Sequence, residues 1–250
     1  MKTLFLAWQD QSKTRAWFPI GRLDADLQHS HYRFGYTRGA TKAHKEAGLE
    51  PLDAFPDFKE TYESKDLFPL FKNRVLGSER EDFQTYLQQI GLSSGEANPI
   101  EILSVTGGER QTDNLEVFPK IEQSHGGFHC RFFLHGWRHV NSESRQQIRS
   151  LKESDPLQIA VELNNPVTRW AIQFQTIESY HMIGWAPRYL VEDLMKAFSQ
   201  APEDIKAKVV RINPAPAPAK LRVLIELKGR WPSNYEPMSS EVFKLIKEKN

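Results

Sequence analysis

The chain has 250 residues, of which 39% are hydrophobic and 11% are aromatic. This composition supplies enough apolar surface to offset the entropy of folding, so it excludes a disordered protein and allows one large or two small domains. The longest apolar runs are short, as at residues 4–8, and we therefore expect neither a signal peptide nor a membrane span. The single cysteine, Cys130, excludes an internal disulfide framework and leads us to expect a cytosolic protein.

Charge is distributed unevenly along the chain, although its formal net charge is only +1. Residues 1–125 hold 15 Lys and Arg against 19 Asp and Glu, a balance of −4, whereas residues 126–250 hold 18 against 13, a balance of +5. A basic excess of this size attracts phosphates, but it is well below that of strongly basic DNA-binding proteins.

The first half is predicted to combine β-strands with one helix. Apolar, β-leaning stretches occur at residues 4–8 and 17–21, and the alternation of Tyr32, Phe34 and Tyr36 places three aromatic rings on one strand face. Three prolines between residues 40 and 77 exclude one long helix there. Residues 78–90 are predicted as a helix, with capping residues, an apolar stripe and a terminating glycine at Ser78, Glu81, Phe83, Tyr86, Leu87, Ile90 and Gly91.

Paired glycines at residues 107–108 and 126–127 place the predicted domain boundary near residue 125, between an N-terminal α+β domain at 1–125 and a second domain at 126–250. Residues 164–166 are predicted as a turn, and the prolines of residues 213–219 predict a stiff, extended connection. A further strand of the first domain is predicted at 115–119. The six predicted strands and two predicted helices of the second domain resemble a small barrel, and the whole chain is predicted to be α+β. The strands of the second domain are predicted at 128–134, 157–163, 171–175, 182–186, 205–212 and 221–227, and its helices at 142–151 and 187–198.

Four short motifs follow one another between residues 128 and 228: His-Gly-Trp-Arg-His at 135–139, Val-Glu-Leu-Asn-Asn-Pro at 161–166, Ala-Ile at 171–172 and Ile-Gly-Trp-Ala-Pro-Arg at 183–188. In order and spacing this region resembles the HIRAN domain. The resemblance implies a small OB-like β-barrel that holds single-stranded DNA and, in some members, the free 3′ end of a strand. Such surfaces stack bases on aromatic rings while Arg and Lys meet phosphates.

The resemblance also implies which residues contact nucleic acid. The family often follows its Asn-Pro with an aromatic residue and an aspartate that binds the terminal hydroxyl, whereas this chain has Val167 and Thr168. We therefore predict backbone and stacking contacts only, and duplex binding is an alternative to 3′-end recognition. The predicted contact residues are Arg138, His139, Asn165, Arg169, Trp170, Trp185 and Arg188. The structural alternative is that the tryptophans are core or rim residues, that the arginines are solvated, and that Asn165 only forms a turn.

The first half carries a weaker resemblance. Residues 21–23, 32–36 and 67–74 are similar to the small N-terminal subdomain of HipA-type toxin kinases, although no kinase sequence follows here. The resemblance implies a regulatory piece that docks on a separate kinase. An aromatic strand followed by a Pro-bounded loop explains the same residues.

Two kinds of metal chemistry are weighed against simpler explanations. His125, His129 and Cys130 have a spacing that zinc ligands use, but a structural zinc needs four ligands and no second close pair follows. Asp57, Glu63 and Lys65 are similar to the acids and lysine of Mg²⁺-dependent nucleases, yet they fall in a Pro-broken segment in which we expect a solvated loop.

Taken together, these patterns predict a non-enzymatic adaptor without a cofactor. Its second domain engages single-stranded or partly unwound nucleic acid, and residues 1–125 engage a protein. The alternatives are a protein–protein regulator, such as an antitoxin-like subunit of a HipA-related kinase, and a metal-dependent nuclease.

Overall fold

Two antiparallel β-sheets organise the chain in a computed structural model that describes residues 1–165 and 169–247. The α+β class expected from the sequence is confirmed, because the chain combines helices with these antiparallel sheets. Within the described residues the chain forms two units, the first made of Met1–Phe83, Ser94–Lys120 and residues 238–247, and the second of Gln84–Ser93 and Ile121–Pro237. The predicted boundary near residue 125 stays a prediction. Residues 84–93, which precede it, belong to the second unit, and residues 238–247, which follow it, belong to the first.

The first unit is built on a five-stranded sheet in the order β4-β3-β2-β1-β5. Its strand β1, which lies between β2 and β5, has four consecutive buried residues, 4–7, as expected of a strand covered on both faces. The strands are β1 Lys2–Gln9, β2 Trp17–Asp26, β3 His31–Tyr36, β4 Thr61–Ser64 and β5 Leu115–Pro119; the helices are α1 Arg38–Ala47, α2 Pro69–Lys72 and α4 Pro99–Thr106, and α3 Phe83–Ile90 leads into the second unit.

The predicted aromatic face of β3 is confirmed at the centre of this unit. Phe34 and Tyr36 are buried, and the Phe34 ring stacks on that of Phe55 with centroids 3.9 Å apart. The buried Tyr36 hydroxyl donates a hydrogen bond to the Phe55 carbonyl and accepts one from the Leu52 N–H, both at 2.7 Å. One side chain therefore ties the loop after α1 to the sheet.

The second unit is built on a seven-stranded sheet in the order β10-β9-β8-β11-β12-β7-β6. Between residues 126 and 247 the described part of the chain has six strands and two α-helices, the number that the sequence predicts. The strands are β6 Gln123–Ser124, β7 Gly127–Phe133, β8 Pro156–Asn165, β9 Arg169–Thr176, β10 Met182–Trp185, β11 Lys206–Ile212 and β12 Val223–Arg230; the helices are α5 Ser142–Ser150 and α6 Arg188–Gln200.

Three local predictions are wrong. The helix predicted to start at Ser78 begins at Phe83 instead, because residues 78–82 form turns in which Arg80 pairs with Asp82 at 2.9 Å. The predicted turn at 164–166 is replaced by strand through Asn165, which pairs with Arg169; residues 166–168 lie outside the described part of the chain. The segment 213–219 is not extended, since the Ala217 N–H donates to the Pro214 carbonyl at 3.0 Å and closes a turn.

Among the described residues, no helix combines the length and the apolar character that crossing a membrane requires.

Candidate functional site

The predicted contact residues occupy three places in the second unit. Arg138 and His139 lie in a short 3₁₀ turn, Trp137–His139, between β7 and α5, and both are exposed. Trp185 ends β10, and the exposed Arg188 begins α6 two residues after Ala186. At the β8–β9 hairpin, Asn165 ends β8 while Arg169 and Trp170, both exposed, begin β9. The Val167 and Thr168 positions, on which the question of 3′-end recognition depends, lie outside the described residues.

The two Gly-Trp motifs meet each other in space. His135 and Trp185 exchange backbone hydrogen bonds of 2.9 and 3.0 Å, forming a bridge between the chain after β7 and β10. Gly136 has φ of 66°, and a Cβ built on it would lie 2.5 Å from Cε3 of the Trp185 ring. The glycine is therefore required both for its backbone conformation and for the close approach of the indole.

The polar edge of Trp185 is already occupied by the protein. Its Nε1–H donates to Oε2 of Glu162 at 2.9 Å, and the Gln173 amide donates to the same oxygen at 2.8 Å. These two hydrogen bonds, opposed by desolvation and helped by one from Asn165, hold the pKa of Glu162 below its usual range. Glu162 on β8 therefore links Gln173 of β9 and Trp185 of β10, a role that the sequence analysis did not assign to it.

Trp137 is held in a similar way on the other side of the motif. Its Nε1–H donates to the Ala219 carbonyl at 2.6 Å, and the Arg222 guanidinium lies 5.1 Å from the ring centroid. This cation–π contact and hydrogen bond fix the turn that carries Arg138.

A groove of about 610 Å³ opens beside this turn. Helix α5 supplies one wall, because Asn141 caps it by accepting from the Ser144 N–H at 2.8 Å and because Ser144 and Ile148 face inward. Residues three and four apart lie on the same face of a helix, so the outward face of α5 carries the exposed residues Ser142, Arg145, Gln146 and Arg149. We call this the arginine groove; its lining residues are Trp137, Arg138, Ser142, Arg145, Gln146 and Arg149.

The electrostatics of the arginine groove are simple. Three guanidinium groups line it, and the set of lining residues in the described chain contains no carboxylate. Arg138, Arg145 and Arg149 are exposed, and no described acidic side chain lies within ion-pair distance of any of them. Arg145 and Arg149 were missed from the sequence, although their four-residue spacing inside a predicted helix was a usable signal. Arg169 and Arg188 are not among the lining residues.

The β8–β9 hairpin forms a different kind of surface. Trp170 is 52% exposed and Leu163 64% exposed, with Val161 beside them at 38%. Arg169 stands next to this apolar surface with φ of 65°. The Trp170 ring is exposed enough for a base to stack on it, whereas Trp185 is partly buried.

The two metal patterns are not assembled by the fold. His129 faces outward and bonds Glu226 at 2.7 Å, whereas His125 lies in a turn at φ of 51°. Glu63 lies on β4, which does pair with β3, so the expectation of a segment without a strand pair is wrong. The Asp57 carboxylate instead accepts the Lys59 N–H at 2.8 Å. Among the described residues, no three or more His, Cys, Asp or Glu side chains are grouped to hold a metal ion.

The comparisons with known proteins add no family to this description: no family model, curated protein or solved structure matches the chain. The resemblance of residues 21–23, 32–36 and 67–74 to a kinase-docking subdomain stays a prediction.

Proposed function

We propose that the second unit is a HIRAN-like module that binds single-stranded or partly unwound nucleic acid in the arginine groove, and that it acts in the cytosol without catalysis. The observation that carries the proposal is the convergence of Arg138, Arg145 and Arg149 in one groove whose described lining has no carboxylate. Guanidinium groups bind phosphate through several N–H donors at once, so three of them can hold consecutive phosphates of a flexible strand.

Strand order supports the barrel part of the proposal. The bridge between His135 and Trp185 brings the β10 edge of the sheet to the chain that follows β7. The sheet order from β7 to β10 is β7-β12-β11-β8-β9-β10, so the single bridge joins the two ends of a row of six strands, and we propose that the row curves into a barrel. A ring of six strands is the small barrel that a HIRAN-like module would have.

The position of Trp170 supports a stacking contribution. Base–aromatic stacking is worth about 1–3 kcal/mol per base and needs an accessible ring face. Trp170 is 52% exposed, whereas Trp137 and Trp185 use their indole N–H groups inside the protein. We therefore assign stacking to Trp170 and structural support to the other two.

The test is a fluorescence anisotropy titration of the full chain with a labelled 20-nucleotide single strand at several salt concentrations. Replacing Arg145 and Arg149 together by Gln should weaken binding about tenfold or more and reduce the slope of log K against log salt by about 1.4, since each phosphate contact on a single strand contributes about 0.7. Charge reversal at Arg138 should weaken binding more than charge reversal at the exposed Lys247, which serves as the control. No binding at low salt, or equal effects of the Arg138 and Lys247 changes, would refute the proposal.

A further inference from the structure

A second cationic surface lies on the outward face of β7, β12 and β11. Strand register places Arg131, Glu226 and Lys208 directly opposite one another in one row, and His129, Lys228 and Lys206 in the next. The residues between the two rows, Ala207, Leu227 and Cys130, alternate toward the other face of the sheet. We call this surface the basic face; it consists of His129, Arg131, Lys206, Lys208, Glu226 and Lys228.

Glu226 supplies the one carboxylate of the basic face, and several of the other side chains of this face approach it. It is 4% exposed, and three cationic groups and one imidazole approach it: Nζ of Lys228 at 3.0 Å, Nζ of Lys208 at 3.4 Å, Nη2 of Arg131 at 3.5 Å and Nε2 of His129 at 2.7 Å. Burial raises the pKa of this carboxyl, but the hydrogen bonds from Lys228 and His129 outweigh burial and bring the pKa to about 2. The carboxylate is therefore charged at neutral pH and holds the surrounding cations in place.

The basic face has more positive charge than Glu226 can neutralise. Four Lys and Arg side chains stand against one carboxylate, a balance of +3 with His129 neutral. The cations also point to water, with Arg131 41%, Lys208 48% and Lys228 55% exposed. Lys206 is opposite Lys228 in the ladder, a like-charge pair that costs stability in an antiparallel sheet. Such a pair is relieved when an anion binds over it.

The shape of the basic face selects the kind of anion. Neighbouring strands are about 4.8 Å apart and same-face residues along a strand are about 6.7 Å apart, which makes a regularly spaced grid of cationic groups. Each strand of a nucleic-acid duplex carries one phosphate per about 3.4 Å of helix axis, so a grid of this kind meets several phosphates of a rigid backbone at once. The face defined by these residues has no aliphatic or Trp side chain to insert among lipids, as an amphipathic membrane-surface site has.

We propose that the basic face binds the phosphate backbone of double-stranded nucleic acid, independently of sequence and as a surface separate from the arginine groove. The contacts are between ammonium or guanidinium groups and phosphate oxygens, so they position a duplex without reading bases. The two surfaces together suit the chain to a junction at which duplex and single strand meet. The basic face does not depend on the groove, and either surface can bind without the other.

The experiment compares a blunt 20-base-pair duplex with a 20-nucleotide single strand, each titrated with the full chain. Replacing Lys206 and Lys208 by Gln should lower duplex affinity about tenfold and reduce the salt slope by about 1.8, since each phosphate contact on a duplex contributes about 0.9. Single-strand affinity should stay the same. The control replaces Lys196, an exposed lysine of the same unit on α6, and should leave both affinities unchanged.

Each outcome separates the two proposals. If the Arg145 and Arg149 variant loses only single-strand binding while the Lys206 and Lys208 variant loses only duplex binding, both proposals stand. If duplex binding depends on the lysines while single strands do not bind, only the groove proposal fails. The basic-face proposal is overturned if the duplex does not bind at 50 mM salt, if the lysine and control variants lose affinity equally, or if phosphatidylserine vesicles bind through Lys206 and Lys208 and the duplex does not. Far-UV circular dichroism of each variant checks that the fold is retained.

Discussion

Replacing Glu226 by Gln tests whether one buried carboxylate holds the basic face together. The change keeps the shape of the side chain but removes the charge that His129, Arg131, Lys208 and Lys228 approach. We expect the second unit to lose stability at neutral pH, because Arg131, Lys208 and Lys228 then repel one another without a counterion.

The magnitude follows from the pKa of the carboxyl. Its fall from the ordinary value of 4.5 to about 2 corresponds to about 3 kcal/mol of stabilisation at neutral pH, since one pKa unit is worth about 1.4 kcal/mol. Water screens the half-exposed lysines, so we expect about 1–2 kcal/mol to be measured. The pKa of the folded state lies below that of the unfolded state. The stabilisation is therefore complete above pH about 5 and is lost as the pH falls from about 4.5 toward 2.

The assay is calorimetric unfolding between pH 7 and pH 3, with hydrogen exchange of β7 and β12 peptides to assign the transition to the second unit. The difference between the native chain and the Glu226→Gln variant should shrink as the pH falls through this window. Glu178→Gln is the control, because Glu178 is exposed in the turn between β9 and β10. A difference that stays constant from pH 7 to pH 3, or one no larger than that of the control, would refute the reasoning.

Three further predictions concern single side chains. Gly136→Ala should destabilise the second unit by about 1–3 kcal/mol in thermal unfolding, because its Cβ would meet the Trp185 ring at 2.5 Å; Gly126→Ala, at φ of 74° with open space around its Cβ, should show only backbone strain, and equal losses would exclude the ring contact. Cys130 should resist iodoacetamide at pH 8 until urea unfolds the chain, because burial raises the pKa of its thiol to about 12; fast alkylation of the native chain would contradict this. Tyr36→Phe should lower the free energy of unfolding in urea by about 1–3 kcal/mol, since two buried backbone groups lose their hydrogen-bond partner. The control is Tyr180→Phe, because Tyr180 is 62% exposed. If Tyr36→Phe loses no more stability than this control, the two hydrogen bonds contribute little.

Local pattern predicted the elements whose signals lie in neighbouring residues. The alternation of Tyr32, Phe34 and Tyr36 identified the buried face of β3, and the strands and helices after residue 126 appear in the predicted number and order. Three helices were missed: the four-residue helix α2, and α1 and α4, which were missed for different reasons. Helix α1 buries Gly39, Ala40, Ala43 and Ala47, small residues that give no apolar stripe. Helix α4 has a capping Asn98 and a terminating Gly107, signals that were present but not used.

The α+β class, the strand-rich second half and the two Gly-Trp motifs can be recognised from the sequence alone, because they depend on residue type and on patterns among neighbouring residues. Only the tertiary structure decided which charges meet. Arg138 joins Arg145 and Arg149 across a turn and a helix, and Glu226 meets His129 from a strand 97 residues away. Glu162 reaches Trp185 across the β8–β9–β10 edge in the same way. Strand pairing sets such distances, and pairing depends on contacts between residues far apart in the chain.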